Sequence, residues 1–163
     1  MAIPVYLWLT DDAGNAVKGE VDINGRENSI EILEFMHSVD LPTNDLTGTI
    51  SGSCIHCDYS FIKETDRSSP YLLQAVSTGR KFKKAEFRFY KINNNGQEVE
   101  YFRTSLEHAR ATNIEPLMMD VKDSAYFRHN HLEAVHLRYE KITWHYIDGN
   151  IVHSDSWKGR GAA

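Results

Sequence analysis

Three short stretches of the chain hold residue types that can do chemistry. His129-Asn130-His131 places two imidazoles two positions apart. On a strand that spacing turns both rings to one side, and paired imidazoles are common ligands of zinc and other late transition metals. Glu133 and His136 follow, but His136 has the opposite parity on a regular strand. His129 and His131 are therefore candidate metal ligands, weighed against plain hydrogen-bonded histidines at a strand entrance. Cys54-Ile55-His56-Cys57 has the outline of a zinc or redox motif, yet the chain has only two cysteines, which excludes a four-cysteine zinc site within one chain. It also precedes no helix, unlike thioredoxin-type motifs. In an extended segment residues three apart lie roughly 10 Å from each other, beyond the limit of about 7 Å for a disulfide. Cys54 and Cys57 are expected as buried or half-buried thiols outside any disulfide. His153-Ser154-Asp155 contains the residue types of a hydrolase triad, but neighbours on a strand face opposite sides. No Gly-x-Ser-x-Gly elbow and no glycine-rich phosphate loop is present. Glu98 and Glu100 fall on a hairpin and read as a solvated face. The residues give no catalytic centre and no cofactor motif, which favours a structural or binding role.

The elements that would position these residues are mostly strands. Val5, Leu7 and Leu9 alternate with Tyr6 and Trp8, and a second strand is expected over Val17–Ile23, closed by the turn Asn24-Gly25. In Asn28–Val39 the apolar parity changes: Ile30 and Ile32 share one phase, Leu33 and Phe35 the other, which predicts a bulge or bend. Past it Leu33 and Phe35 are expected in the core, with Glu34, Met36 and Ser38 on the opposite face. Residues 40–53 are polar, rich in Gly, Ser and Thr, and without periodicity, so they read as a long loop, either functional or mobile or a tolerated surface insertion. A strand resumes from Cys54 to Lys63. Ser69 as N-cap, Pro70 in the first turn and Gly79 as C-cap bound one short helix, with Leu72, Leu73 and Val76 on its apolar face. Ala85, Phe87 and Phe89 alternate with Glu86, Arg88 and Tyr90, and the turn Asn93–Gly96 joins them to Gln97–Arg103 as a hairpin. Extended chain continues to Ile114, an irregular connection covers 115–130, and a long strand from His131 to Tyr146 changes phase near Glu140-Lys141. Asp148-Gly149-Asn150 turns it back into Ile151–Trp157.

Many short strands and one helix predict an all-β fold, a barrel of antiparallel strands with one short flanking helix over about 69–78. One domain over 1–157 and a short frayed tail over 158–163 are expected. The net charge is −5 and the lysines and arginines are spread among acids, so nothing resembles the basic stripe of a nucleic-acid binder. No apolar run is long enough to span a bilayer. The start MAIPVYLWLTDDAG lacks a basic leader and reads as a first strand, not a signal peptide. Folding in the cytoplasm is expected, with any export following a route other than a cleaved leader.

Several segments together resemble the Hcp family, the haemolysin-coregulated proteins of bacterial type VI secretion. The N-terminal stretch from Met1 to Thr43 is similar to that family. So is the segment carrying His56, Lys63, Glu64, Asp66, Ser68, Ser69 and Pro70, a histidine, an aromatic-rich strand, Lys-Glu-x-Asp and Ser-Ser-Pro before the helix. Gly96–Phe102 and His129–Trp157 match as well, so the resemblance covers nearly all of residues 1–157. Cys57 and Asp58 stand where a basic residue and a proline are expected, and residues 109–128 match less well. The resemblance implies a β-barrel with a flanking helix that assembles as a homohexameric ring. It further implies that rings stack into the inner tube of a contractile injection machine, capped by a spike protein, wrapped by a contractile sheath, and able to hold effector proteins in the lumen. The subunit would assemble in the cytoplasm and be secreted to the extracellular space or a target cell.

Within that reading the loop Leu41, Pro42, Thr43, Asn44, Asp45, Leu46, Thr47, Gly48, Thr49, Ile50, Ser51, Gly52 and Ser53 is expected to serve ring stacking. Glu34, Met36 and Ser38 are expected at the lumen or the lateral interface. Two rivals stand beside it: a monomeric carbohydrate- or metal-binding β-sandwich, and a hydrolase that uses His153 or the His129/His131 pair.

Overall fold

In the computed structural model residues 3–157 are described; the tail expected over 158–163 lies outside them. Strands β1 (Val5–Asp11) and β2 (Ala16–Val17) form a tight hairpin, and β3 (Ile30–Ile32) and β4 (Glu34–Met36) follow. Next come β5 (Val39–Asp40), β6 (Ile55–His56), β7 (Tyr59–Glu64) and the helix α1 (Ser69–Thr78). The long strands β8 (Lys81–Ile92) and β9 (Glu98–Leu117) precede β10 (Leu132–Arg138), β11 (Lys141–Tyr146) and β12 (Ile151–Ser156). Ten strands make one antiparallel sheet in the order β2-β1-β8-β9-β10-β7-β4, with β3 beside β1, β11 beside β9 and β12 beside β11. The pair β5-β6 is separate. No helix among the described residues is long and apolar enough to cross a membrane.

The expected β-rich fold with one helix is present, but the expected barrel is not: the sheet is not closed. Its two flanks are linked by covalent chain instead of a continuous ladder. β3 pairs with β1, placing Ile30 beside Leu7 and Ile32 beside Val5, and β4 pairs with β7, placing Phe35 beside Phe61. Leu33 is the one-residue step between them, its N–H donating to Ile62 O at 2.8 Å. The phase change in the sequence is thus a change of partner strand. Leu33 and Phe35 do not enter the core as expected. Both are exposed, Phe35 at 43%, although its ring still stacks on Tyr59 at 5.6 Å and meets Phe89 edge-on at 5.2 Å. The second phase change also marks a break, at Tyr139-Glu140 between β10 and β11. Opposite it β9 carries His108 at a positive φ of 52°, where its partner changes from β10 to β11.

The second predicted strand shrinks to Ala16–Val17. Beyond it the chain runs irregularly against Asn28-Ser29, with Gly19 N–H donating to Asn28 O at 2.9 Å. A side chain at position 19 would put its Cβ 2.3 Å from Ser29 O, so this close approach requires glycine. The core lies beneath β1, β3, β7, β8, β9 and β10, filled by Leu7, Leu9, Ile30, Ile32, Phe61, Phe87, Leu106, Val135, Leu137 and Ile142. Glu86, which alternates with the core residues Ala85 and Phe87, is also buried, held by Lys84 and Arg88.

The helix begins and ends where the sequence places it, within a residue. Its N-cap is Ser68, Pro70 lies in the first turn, and Gly79 closes it at φ 69° in the left-handed region. Its buried face is Ser69, Leu72 and Ala75; Leu73 and Val76 are exposed, contrary to the spacing argument, which grouped them with Leu72. Ser69 is drawn inward by a buried ion network. The Lys63 ammonium, with no solvent exposure, donates to Glu64 O at 2.7 Å, Asp66 Oδ1 at 2.9 Å and Ser69 Oγ at 3.2 Å. It lies 3.1 Å from Glu133 Oε2, which also accepts from Ser69 Oγ at 2.9 Å. Ser68 N–H and Oγ both donate to Asp66 Oδ1. Removing one member of such a set strands a buried charge. We expect Lys63→Ala to lower unfolding free energy by about 3–5 kcal/mol, and Lys63→Met with Glu133→Gln to recover part of the loss. Urea denaturation showing less than about 1 kcal/mol for the single change would refute the stabilising role.

Candidate functional site

Two regions of the molecule combine the residues singled out in the sequence. The first is an arm. Residues 40–53, expected as an irregular loop, continue the β5-β6 pair outward as a hairpin: Val39 pairs with His56 and Asp40 with Ile55, and a further bridge joins Thr43 to Ile50. The tip is ordered by the Asn44 side chain, whose Oδ1 accepts from the N–H groups of Leu46 and Thr47 at 2.9 and 3.1 Å. Gly48 takes φ 68° there. Leu41, Leu46 and Ile50 are all exposed, Leu46 at 96%.

Below the base of the arm lies the second region, a polar cluster walled by aromatic rings. His56 is buried. Its Nε2 is 2.7 Å from Asp155 Oδ2 and its Nδ1 is 2.7 Å from Tyr139 OH, which is itself 2.7 Å from Nε2 of His37. A carboxylate only accepts, so Nε2–H of His56 donates to Asp155; with that ring neutral, Nδ1 accepts from Tyr139, whose oxygen accepts from Nε2–H of His37. Burial pushes the Tyr139 phenol well above its ordinary range, reinforced by the Asp155 charge, so it stays neutral. The His37 imidazole is shifted below its ordinary value, first by burial and then by neighbouring His56. Trp157 and Trp144 lie 5.3 and 6.4 Å from the His56 ring. Cys54 completes the group: its sulfur, a nitrogen of His56 and an oxygen of Asp155 all lie within 4.8 Å of one another.

A thiol, an imidazole and a carboxylate together suggest nucleophilic catalysis, but the connectivity opposes it. In a working triad the imidazole bonds the orienting carboxylate through one nitrogen and the nucleophile through the other. Here the second nitrogen of His56 is engaged by Tyr139.

The other candidates lie elsewhere. His129 and His131 are exposed and sit beside Met118, Met119 and Tyr126, with the His129 ring 6.2 Å from Tyr126. Among the described residues the one grouping of three His, Cys, Asp or Glu donors is the Cys54 cluster. His153-Ser154-Asp155 does not converge: His153 stacks on Trp144 at 5.8 Å, Ser154 bonds Thr143, and Asp155 serves His56. Neither cysteine forms a disulfide; Cys54 is half-buried as expected, whereas Cys57 is exposed instead of buried or half-buried, its Sγ 3.7 Å from Asp40 Oδ2. Glu98 is more than a solvated carboxylate, since it pairs at 2.6 Å with buried Arg26, whose guanidinium covers the rings of Tyr90 and Tyr6. Glu34, Met36 and Ser38 are all exposed, Met36 at 72%, on and beyond β4 at the end of the sheet.

Residues 6–146 match the profile of a protein family described as "Type VI secretion system effector, Hcp". The Hcp1 protein of the E. coli EAEC 042 pathovar, solved as a mutant, superimposes with a TM-score of 0.87 at 54% identity over 96% of this chain and 99% of that one. The secreted protein Hcp3 of Pseudomonas aeruginosa gives a TM-score of 0.77 at 26% identity over 94% and 97% of the two chains. A protein of Pseudomonas aeruginosa strain PAO1 named "Major exported protein" is 29% identical over 97% of each chain.

Half-buried His37 makes stability depend on pH. Its folded-state value is depressed, so the stability tied to its neutral form is present above its unfolded value of about 6.5 and is lost as pH falls through that value toward the folded one. Thermal unfolding of the wild type should show Tm falling over that window, and His37→Gln should flatten the slope there. An identical slope in the variant would exclude His37 as its source.

Proposed function

The chain belongs to the Hcp family and is therefore a structural protein of type VI secretion and not an enzyme, and from this premise we propose how its surfaces are used. Residues 1–157 act as one domain that closes into a homohexameric ring. Rings stack into the inner tube, with a spike at its tip, a contractile sheath around it and effectors held in its lumen. The tube is expelled to the extracellular space or a target cell; the name of the Pseudomonas relative, an exported protein, supports export.

The observation that carries this reading is the apolar surface left outside the core. Leu46 at the arm tip, Met36 on β4, and Ile151 and Val152 on β12 are all exposed. Among the described residues β12 pairs only with β11 and β4 only with β7. Open strand edges beside apolar side chains suit contact with further copies of the same chain, and a heterologous contact that closes on itself yields a ring. The arm, projecting from the sheet on its own strand pair, suits axial contact between rings. Glu34, Met36 and Ser38 suit the lumen or the lateral contact, and methionine adapts to unlike surfaces because its thioether is flexible and polarizable.

Light scattering on the purified protein should give six times the subunit mass; a monomer at tens of micromolar would overturn the ring. Shortening the arm within residues 42–52 should leave hexamers and abolish tubes and secretion, whereas loss of the hexamer would move the arm to the lateral contact. Met36→Arg should keep the hexamer and lose cargo if position 36 faces the lumen, and lose the hexamer if it faces a neighbour. Unchanged assembly, cargo retention and secretion would reject both placements.

A further inference from the structure

We propose that Cys54, His56 and Asp155 form a binding site for one divalent transition-metal ion of the zinc class. The three donors come from two distant parts of the chain, the return strand of the arm and β12, and converge to within 4.8 Å of one another. Tetrahedral zinc with bonds of about 2.0–2.3 Å separates its ligand atoms by about 3.3–3.6 Å. The His56–Asp155 distance of 2.7 Å must therefore open slightly and the Cys54 sulfur move inward. Thiolate, imidazole and carboxylate is a donor set that favours zinc and its neighbours over magnesium or calcium.

Two further features fit an ion. The remaining nitrogen of His56 already faces Tyr139, and ligating histidines almost always use their second nitrogen on such a partner. The His56 side chain is 1% exposed while that of Asp155 is 29% exposed and Cys54 is half-buried, so the cluster opens to solvent on the side of the anionic donors. That opening leaves a fourth position for water. On binding, the thiol releases its proton to solvent. His56 moves its proton from Nε2 to Nδ1, which then donates to Tyr139; the Tyr139 hydroxyl in turn donates to Nε2 of His37, whose own proton moves to Nδ1, so the chain reverses without a change in charge. The ion would fasten the base of the arm, where His56 pairs with Val39, to the C-terminal hairpin.

Co(II) is the probe, added to the untagged full chain after chelator treatment and with the thiols reduced. One equivalent should produce a thiolate-to-cobalt charge-transfer band with the intense visible bands of a four-coordinate ion, and Zn(II) should displace both. Cys54→Ser should abolish the charge-transfer band and Cys57→Ser should retain it. Asp155→Asn should weaken binding at least about tenfold, and Tyr139→Phe about 10–100-fold, as for other residues behind a ligand. Buried His56 is left intact because its replacement can unfold the protein. Absence of the thiolate band in folded wild type, or its persistence in Cys54→Ser, overturns the site. Neither result bears on the hexamer, whose mass is read separately.

Discussion

Burying an ammonium without exposure is tolerable only when every direction it presents is met by an acceptor. Lys63 achieves this with groups from four places: the carbonyl at the end of its own strand, Asp66 in the following turn, Ser69 at the start of α1 and Glu133 on β10. Hydrophobic burial is non-directional and would let the helix slide across the sheet. The ion network does not, because Ser69 must bond Lys63 and Glu133 together while Asp66 holds Ser68. The entry point of α1 is thereby set, and with it the start of β8, two residues past Gly79. Lys63 and Glu133 are also direct cross-strand neighbours, so the same pair fixes the register of β7 on β10. The Lys-Glu-x-Asp and Ser-Ser-Pro residues that resemble the family thus act on architecture.

Much of this fold was legible because its signals are local. Pro70 and Gly79 bound the helix by backbone geometry alone. Both phase changes, at Leu33 and near Glu140, correspond to strand breaks. What was misread depended on distant partners. Leu33 and Phe35 have the right parity for the core, but β4 lies at the end of the sheet with too little above it to cover them. Leu73 and Val76 fit an apolar stripe, yet Ser69 rotates the helix toward the ion network and Leu72 with Ala75 takes the buried side. Glu86 lies on the face opposite Phe87 and is nonetheless enclosed, by Lys84 and Arg88. The arm shows no alternation because neither face of it is buried, so nothing selects one parity over the other. Closure of the sheet is likewise a matter of which strands meet across long separations.

The candidate site was less legible. His56 and Asp155 are 99 positions apart and His56 and Tyr139 are 83 apart, so no spacing rule connects them. His56 and Asp155 belong to different short motifs of the sequence, Cys54–Cys57 and His153–Asp155. The available hint was the phase break after Tyr139, which identifies a side chain held at a special position between β10 and β11. The His129-x-His131 pair, the most regular motif by spacing, lies at the surface on an irregular segment.

Strand β9 runs for 20 residues, laddered to β8 on one side and to β10 and then β11 on the other. Pulled along its length, such a strand loads its hydrogen bonds in parallel, so many must rupture together. Pulled from an edge at right angles, a short strand such as β2 gives way one bond after another. The sheet is therefore mechanically anisotropic, stiffer along β9 than at its margins. A body subjected to sudden axial thrust keeps its shape when the thrust runs along that strand.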